Sequence, residues 1–281
     1  WDGSNNEIDL VTKTVEPRGD EKELAEITDL IGSYTTNFAS SSAGRAKNVI
    51  TGVSKVDGTI LYPGEEFDLA KTVSPFTQEN GYELAGAYQN GTVVESFGGG
   101  ICQVATTLYN AVIRAELEIT MRFNHSMLVH YVEPSMDAAI AGNYKDLKFK
   151  NNLDAPVYIE GYCSGGIIYF NVYGKETRPS NREISFESET VSKTDPKVQF
   201  TMDASLTAGS VSVTQSGQSG CIAQLWKIVK VDGKQQSRDL FNKSNYQATP
   251  KIITIGTKDA TSETLSALKA AITIGDEAKV R

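Results

Sequence analysis

An α+β domain followed by an all-β domain is the architecture this chain predicts, and three observations carry it. An apolar stripe at helical spacing, Ile101, Val104, Leu108, Ala111, Val112 and Ala115, stands among runs rich in β-branched and aromatic residues. After "KETRPSNRE" (175–183) long helical patterning stops, and short alternating runs follow: "EISFESE", "IAQLWKIVKV", "KQQSRDLF" and "KIITIG". The length of 281 residues suits two domains at roughly 150 residues each. In the first, residues 27–180, a helix entered from a Gly-rich loop packs on antiparallel strands. Residues 181–260 form the all-β domain, and 261–281 a helical tail.

Each element has a local reason. "DEKELAEITDLI" (20–31) places Leu24, Ile27, Leu30 and Ile31 on one helical face, with Asp20 and Glu23 as a capping-box-like pair. "ASSSAGRAKN" (39–48) reads as a polar loop. "NVITGVSKVDGTILYPGEEF" (48–67) reads as a hairpin turning at Asp57-Gly58. β-Branched and aromatic content suits strand from Ile119 to Val132, and "DLKFKNNLDAPVYIEGYC" (146–163) reads as further strand. The last of it forms a hairpin with "IIYFNVYG" (167–174) around Ser164–Gly166. Asp232-Gly233 marks another hairpin, and "TSETLSALKAAI" (261–272) a helix capped by Thr261 or Ser262.

Composition excludes several classes. A net charge of −8 argues against nucleic acid or an anionic membrane as partner, because both select clustered Lys and Arg. No apolar run reaches the ~18 residues of a membrane span, and no signal peptide opens the chain. The opening "WDGSNNEIDLVTKTVEPRGDEKEL" reads as the interior of a longer protein, with 1–26 the remnant of a preceding domain or linker. Any membrane anchor is expected upstream. Three cysteines, Cys102, Cys163 and Cys221, are too few for a disulfide scaffold. With Cys102 unpaired, Cys163–Cys221 is the one bridge open to the chain. With no C-x-x-C and only His125 and His130, no metal site is expected.

The informative stretch is "SFGGGICQVATTLYNAVIRAEL" (96–117). Three glycines cannot be helix interior, since each costs about 1 kcal/mol relative to Ala there. The helix therefore starts near Ile101, and Cys102 lies in its first turn, beside the apolar stripe. Unpaired N–H groups and a partial positive charge at a helix start favour a thiolate. The N–H groups of Gly98, Gly99 and Gly100, and the Gln103 side chain, are candidate oxyanion donors. Two readings stand side by side: Cys102 as nucleophile, or as a small buried residue at the start of a packed helix.

A cysteine nucleophile needs a base, and the base an orienting group. Both histidines follow in "MRFNHSMLVHYVEPSMDA" (121–138). Five residues apart on one strand, they face opposite ways, so at most one addresses Cys102. Asn124, Ser126 and Asp137 are the polar groups available to hold the imidazole.

Five segments resemble, in order and spacing, the VanW domain: "PGEEFDL" (63–69), "NGYELAGAYQNG" (80–91), "GGGICQVATTLYNAVIRAELEI" (98–119), "NHSMLVHYVEPSMDA" (124–138) and "DLKFKNN" (146–152). The likeness runs from about Tyr34 to Tyr158. Residues 183–258 are similar, more loosely, to the G5 domain. Named from a vancomycin-resistance cluster, the VanW family is associated with cysteine-dependent L,D-transpeptidase activity. The resemblance implies Cys102 as nucleophile, His125 rather than His130 as base, Asp137 behind it, and Arg122 binding a carboxylate or supporting the site.

It further implies peptidoglycan stem peptides as substrate, no cofactor, glycan strands as a second partner through the G5-like part, and a place on the extracellular, cell-wall face of a bacterium. A hydrolase of the same bonds and a non-catalytic wall-binding protein are the rival readings. Trp226, Phe241 and Tyr246 are candidate sugar-stacking groups or, alternatively, core and strand-face aromatics. Because every candidate catalytic group lies between 98 and 137, residues 27–180 are expected to carry the chemistry alone, and 183–258 to fold as a separate unit.

Overall fold

The structure, a computed structural model, describes residues 19–89, 92–142 and 144–274. Most of the expected 1–26 segment therefore lies outside the described residues.

Asp20 caps a single turn, α1 (Glu21–Leu24), by accepting from the Glu23 N–H at 2.7 Å. The chain then becomes extended as β1 (Asp29–Asn37). Residues 20–31, expected as one helix, thus divide between two elements, because Ile31 is buried in the core as part of a sheet. Ser42 opens α2 (Ala43–Val56), which replaces both the expected loop and the first arm of the expected hairpin. Val49, Gly52, Val53 and Val56 repeat every three or four residues and are buried, so burial at helical period overrides the strand propensity of the β-branched residues. Asp57-Gly58 does turn the chain, but from a helix into β2 (Thr59–Leu61). Short elements follow: β3 (Glu66–Asp68), α3 (Leu69–Val73), and the hairpin β4 (Leu84–Gln89) with β5 (Thr92–Phe97).

The glycine run then starts α4 (Ile101–Arg114), buried at every position except Cys102 and Arg114. A helix apolar on so many sides belongs inside a domain, and it is more than the one-sided stripe the spacing predicts. It packs with α2 on the antiparallel sheet β1-β9-β8-β2, where β8 is Val157–Ser164 and β9 is Ile167–Gly174. Ile159, Ile168, Phe170 and Val172 face the helices at period two. Gly32 in β1 permits the close approach: a Cβ there would stand 2.5 Å from Ala111 O and from Ala115 N. A second small sheet, β3-β7-β6, uses β6 (Glu118–Met121) and β7 (Lys148–Lys150). Strand ends at Met121, so the expected strand to Val132 is a loop instead, and the opposite-face argument for the histidines has no strand to stand on.

Beyond Asn181 every element to residue 258 is a strand. β10 (Arg182–Thr194), β13 (Gly220–Val231) and β14 (Lys234–Tyr246) form one antiparallel sheet, with Asp232 and Gly233 both at positive φ in the turn. β11 (Val198–Thr207), β15 (Thr249–Lys258) and β12 (Val211–Gln218) form another, with β11 and β15 parallel. Thr261 accepts from Thr264 N–H at 3.2 Å at the start of α5 (Ser262–Ile274).

The two domains share a core rather than a linker. Leu225 of β13 belongs to the same apolar cluster as α4, and Phe186 and Phe241, edge to face at 5.1 Å, pack against it. At the rim, Glu116 receives both guanidinium nitrogens of Arg182, at 2.6 and 2.9 Å, and the Lys227 ammonium. Burial raises the Glu116 carboxyl, but these cations outweigh it and bring it down to about 2.

Candidate functional site

The helix start is built by its glycines. Gly100, at φ 114°, is the N-cap of α4 and offers no side chain to cap it. A Cβ on Gly99 would sit 2.7 Å from Ala85 O, so the run also admits the β4–β5 hairpin close against the helix. Gly99, Ile101 and Gln103 spend their N–H groups on Ser96 O, Gly98 O and Gly100 O. Among the described residues, the N–H groups of Gly100 and Cys102 are left in this turn without an intramolecular acceptor.

Cys102, Thr106 and Asn110 succeed one another at i, i+4 and i+8, one row on the buried helix. The row grips the loop segment 136–140 at alternate residues. Asn110 donates to Met136 O at 2.6 Å, Thr106 exchanges bonds with Ala138 N–H and C=O at 3.0 and 3.1 Å, and Ile140 N–H donates to Cys102 Sγ at 3.4 Å. Asp137, between two gripped residues, turns to the other side. There its Oδ2 takes His125 N–H and His125 Nδ1, each at 2.7 Å. Its Oδ1 takes Arg122 Nη2 at 2.9 Å and the Tyr246 hydroxyl.

With Nδ1 committed to Asp137, Nε2 is the ring nitrogen left for Cys102. Burial pushes the thiol up, yet the hydrogen bond and charge of His125, with Ile140 N–H, hold it below the ordinary thiol value. Burial likewise disfavours imidazolium, but Asp137 and Cys102 raise His125 to about 9. Asp137 stays below the usual carboxylate range: burial pushes it up, and His125 and Arg122 more than compensate. Both shifts favour the thiolate–imidazolium form of the pair, with a buried carboxylate behind.

Cys102 opens onto a cavity of about 670 Å³ that Gly98–Gly100, Ser126, Tyr131 and Gln247 also line. Among the described residues no Asp or Glu lines it, whereas Arg45 and Lys145 do. Arg45 bonds Ser41 Oγ at 2.7 Å and Gln103 Oε1 at 2.8 Å, and Lys145 bonds Asn124 O at 3.1 Å. The cavity is electropositive.

A family model described as VanW like protein matches residues 44–173, and a G5 domain model matches 186–258. The chain is a VanW-like domain followed by a G5 domain. It is 34% identical over 172 residues to the protein YoaR of Bacillus subtilis, covering 61% of this chain and 57% of that one. It is 26% identical over 118 residues to the vancomycin B-type resistance protein VanW of Enterococcus faecalis, covering 40% of this chain and 42% of that one. The chain thus spans about half the length of these relatives. Among solved structures, the IgA1 protease G5 domain is 28% identical, with a TM-score of 0.21 over 28% of this chain and 94% of its own. HP0197-G5 is 25% identical, with a TM-score of 0.16 over 26% of this chain and 99% of its own.

The VanW-like domain brings Cys102, His125 and Asp137 together, and leaves His130 exposed on the loop. Arg122 is tied to Asp137 O, Ser135 O and Ser244 as well as to the carboxylate, so it supports the site instead of meeting a substrate carboxylate. Gln103 is not a free oxyanion donor: both its amide N–H groups are spent, on Thr36 and Asn37 O. Asn124 turns away to His125 O and Asn245 O. All three cysteines are unpaired, the 163–221 bridge included.

Of the candidate aromatics, Tyr246 is buried against Asp137, Phe241 packs on Phe186, and Trp226 lies under Arg238. Beyond the 98–137 stretch, the G5 domain also reaches the site: Ser244 and Tyr246 bond Arg122 and Asp137, and Gln247 lines the cavity. Thr106 and Asn110 were findable, as polar residues in the Cys102 row. Tyr246, 109 residues from Asp137, carried no local signal.

Proposed function

We propose that this is a cell-wall protein whose VanW-like domain is a cysteine-dependent L,D-transpeptidase of peptidoglycan stem peptides. The observation that carries the proposal is the Cys102–His125 pair at an uncapped helix start, with a buried Asp137 orienting the imidazole. The substrate class rests on the VanW and G5 matches and on the electropositive cavity, which suits an acyl donor ending in a carboxylate. The protein acts on the outer, wall-facing side of the cell, and the G5 domain contributes affinity for the wall.

In the reaction, Cys102 Sγ attacks the carbonyl before the terminal D-Ala of the donor stem. The oxyanion lies toward the N–H groups of Gly100 and Cys102. The C–N bond breaks as the His125 imidazolium gives its proton to the departing D-Ala amine, leaving a thioester and neutral imidazole. The side-chain amine of an acceptor stem then attacks the thioester, His125 takes its proton, and the thiolate returns. The product is a 3-3 cross-link.

Purified muropeptides test this. Cross-linked dimers that vanish with Cys102→Ser are the expected result. Shortened monomers alone would replace transferase by hydrolase, with water resolving the thioester. Unchanged muropeptides, with sacculus binding indifferent to Cys102→Ser, would leave a wall-binding module.

A further inference from the structure

We infer that the G5 domain is a working part of the VanW-like site, with Tyr246 a positioning residue that holds the Asp137 carboxylate through its hydroxyl. The inference rests on the proposed Cys102–His125–Asp137 reading and adds a residue from another domain.

The direction of the hydrogen bond is fixed by its surroundings. Ser135 N–H donates to the Tyr246 oxygen at 2.7 Å and the Ser244 hydroxyl bonds it too, so the phenolic proton goes to Asp137 Oδ1. Asp137 is fully buried and Tyr246 nearly so. Of the four donors on the carboxylate, two come from His125, one from Arg122 and one from Tyr246. Arg122 is itself held by Ser244 Oγ at 2.9 Å, two residues before Tyr246 on β14. The same strand end therefore fixes both groups on Oδ1. Next along the chain, Gln247 N–H donates to Ser126 O at 2.7 Å and pins the residue after His125.

Burial is the strongest influence on Asp137, toward the neutral acid. Each donor opposes it. Without the Tyr246 hydroxyl, Ser135 N–H loses its acceptor and Oδ1 keeps Arg122 alone. The carboxyl is then held less firmly in place, and the imidazolium it orients toward Cys102 is anchored less well. The other titratable and charged groups facing Asp137 are Cys102 and Tyr109 on α4, Tyr131 on the loop, and Cys221 on β13. Tyr109, Tyr131 and Tyr246 are all raised by burial, so they stay neutral through the range that matters. Cys221 is raised as well and remains a thiol.

The test is the pH dependence of iodoacetamide alkylation at each cysteine of the full chain, read by mass spectrometry, for wild type, Tyr246→Phe and Ser244→Ala. In wild type the Cys102 midpoint should lie below that of Cys163; if it does not, the underlying reading fails before Tyr246 is at issue. Given that result, Tyr246→Phe should move the Cys102 midpoint up and slow its alkylation near neutral pH by about tenfold, the scale of a lost hydrogen bond to a charged group. Cys163 should be unmoved. A Cys102 midpoint that stays put or falls overturns the inference. If Tyr246→Phe exposes buried Cys221, showing that it has unfolded, Ser244→Ala decides: a smaller upward shift supports the inference, and no shift overturns it.

Discussion

The two domains support one carboxylate by different means. The VanW-like domain holds Asp137 through a loop fastened at alternate residues to a helix buried along nearly its whole length. The G5 domain reaches the same group with the end of a strand, β14, which is largely exposed until Ser244 and Tyr246 become buried. Its far sheet, β11-β15-β12, leaves Val198, Met202, Val211 and Val213 exposed. Site support in the G5 domain is thus confined to a strand tip, whereas in the VanW-like domain it is distributed through the core. Substitutions should therefore be graded by how close they lie to the Cys102–His125 bond, whichever domain they belong to.

The largest effects belong to the pair itself. Cys102→Ser and His125→Ala should each reduce thioester formation to background, whereas His130→Ala should retain it, since that side chain is exposed. Equal loss in both histidine variants would show that exposure on the loop is no guide to role. Asp137→Asn should follow, with turnover down on the order of 10²–10⁴-fold, the range seen when an orienting carboxylate is neutralised.

pH sharpens the same comparison. With the thiol held low and His125 raised to about 9, acyl transfer should rise as the thiolate forms and fall as pH passes about 9, where the imidazolium loses the proton it gives the leaving amine. The His125 charge likewise adds stability below its usual range and loses it on passing about 9. Asp137 works oppositely: its stabilisation is present above the usual carboxylate range and lost on acidification. A rate that keeps climbing above that pH would separate His125 from the acid role.

Smaller still is the effect of the cavity cations. Arg45→Gln and Lys145→Gln should each raise KM by about three- to tenfold for a donor ending in a free carboxylate, with kcat nearly constant. The corresponding C-terminal amide should be a poorer substrate that neither substitution affects. Equal KM values for acid and amide would remove these cations from recognition.

How far the sequence revealed this depends on the range of the interaction. Cys102 was legible because glycines and a helical period are local signals. His125 was legible because only two histidines exist and the VanW-like motif singles out one. α2 was misread as a hairpin: Asp57-Gly58 is a true turn signal, and Val49, Ile50 and Thr51 favour strand, but packing against α4 and β8 decides for helix. The second domain's contribution was invisible. Tyr246 and Ser244 meet Asp137 and Arg122 only through the docking of two domains, which no pattern along one strand encodes.

The most direct measurement is the intact mass of the full chain after brief exposure to a stem peptide ending in D-Ala. The mass should increase by the donor acyl group, with peptide mapping placing the adduct on Cys102 and free D-Ala appearing in equal amount. An adduct on Cys163 or Cys221, or no adduct while stem peptide is consumed, would contradict Cys102 as the nucleophile.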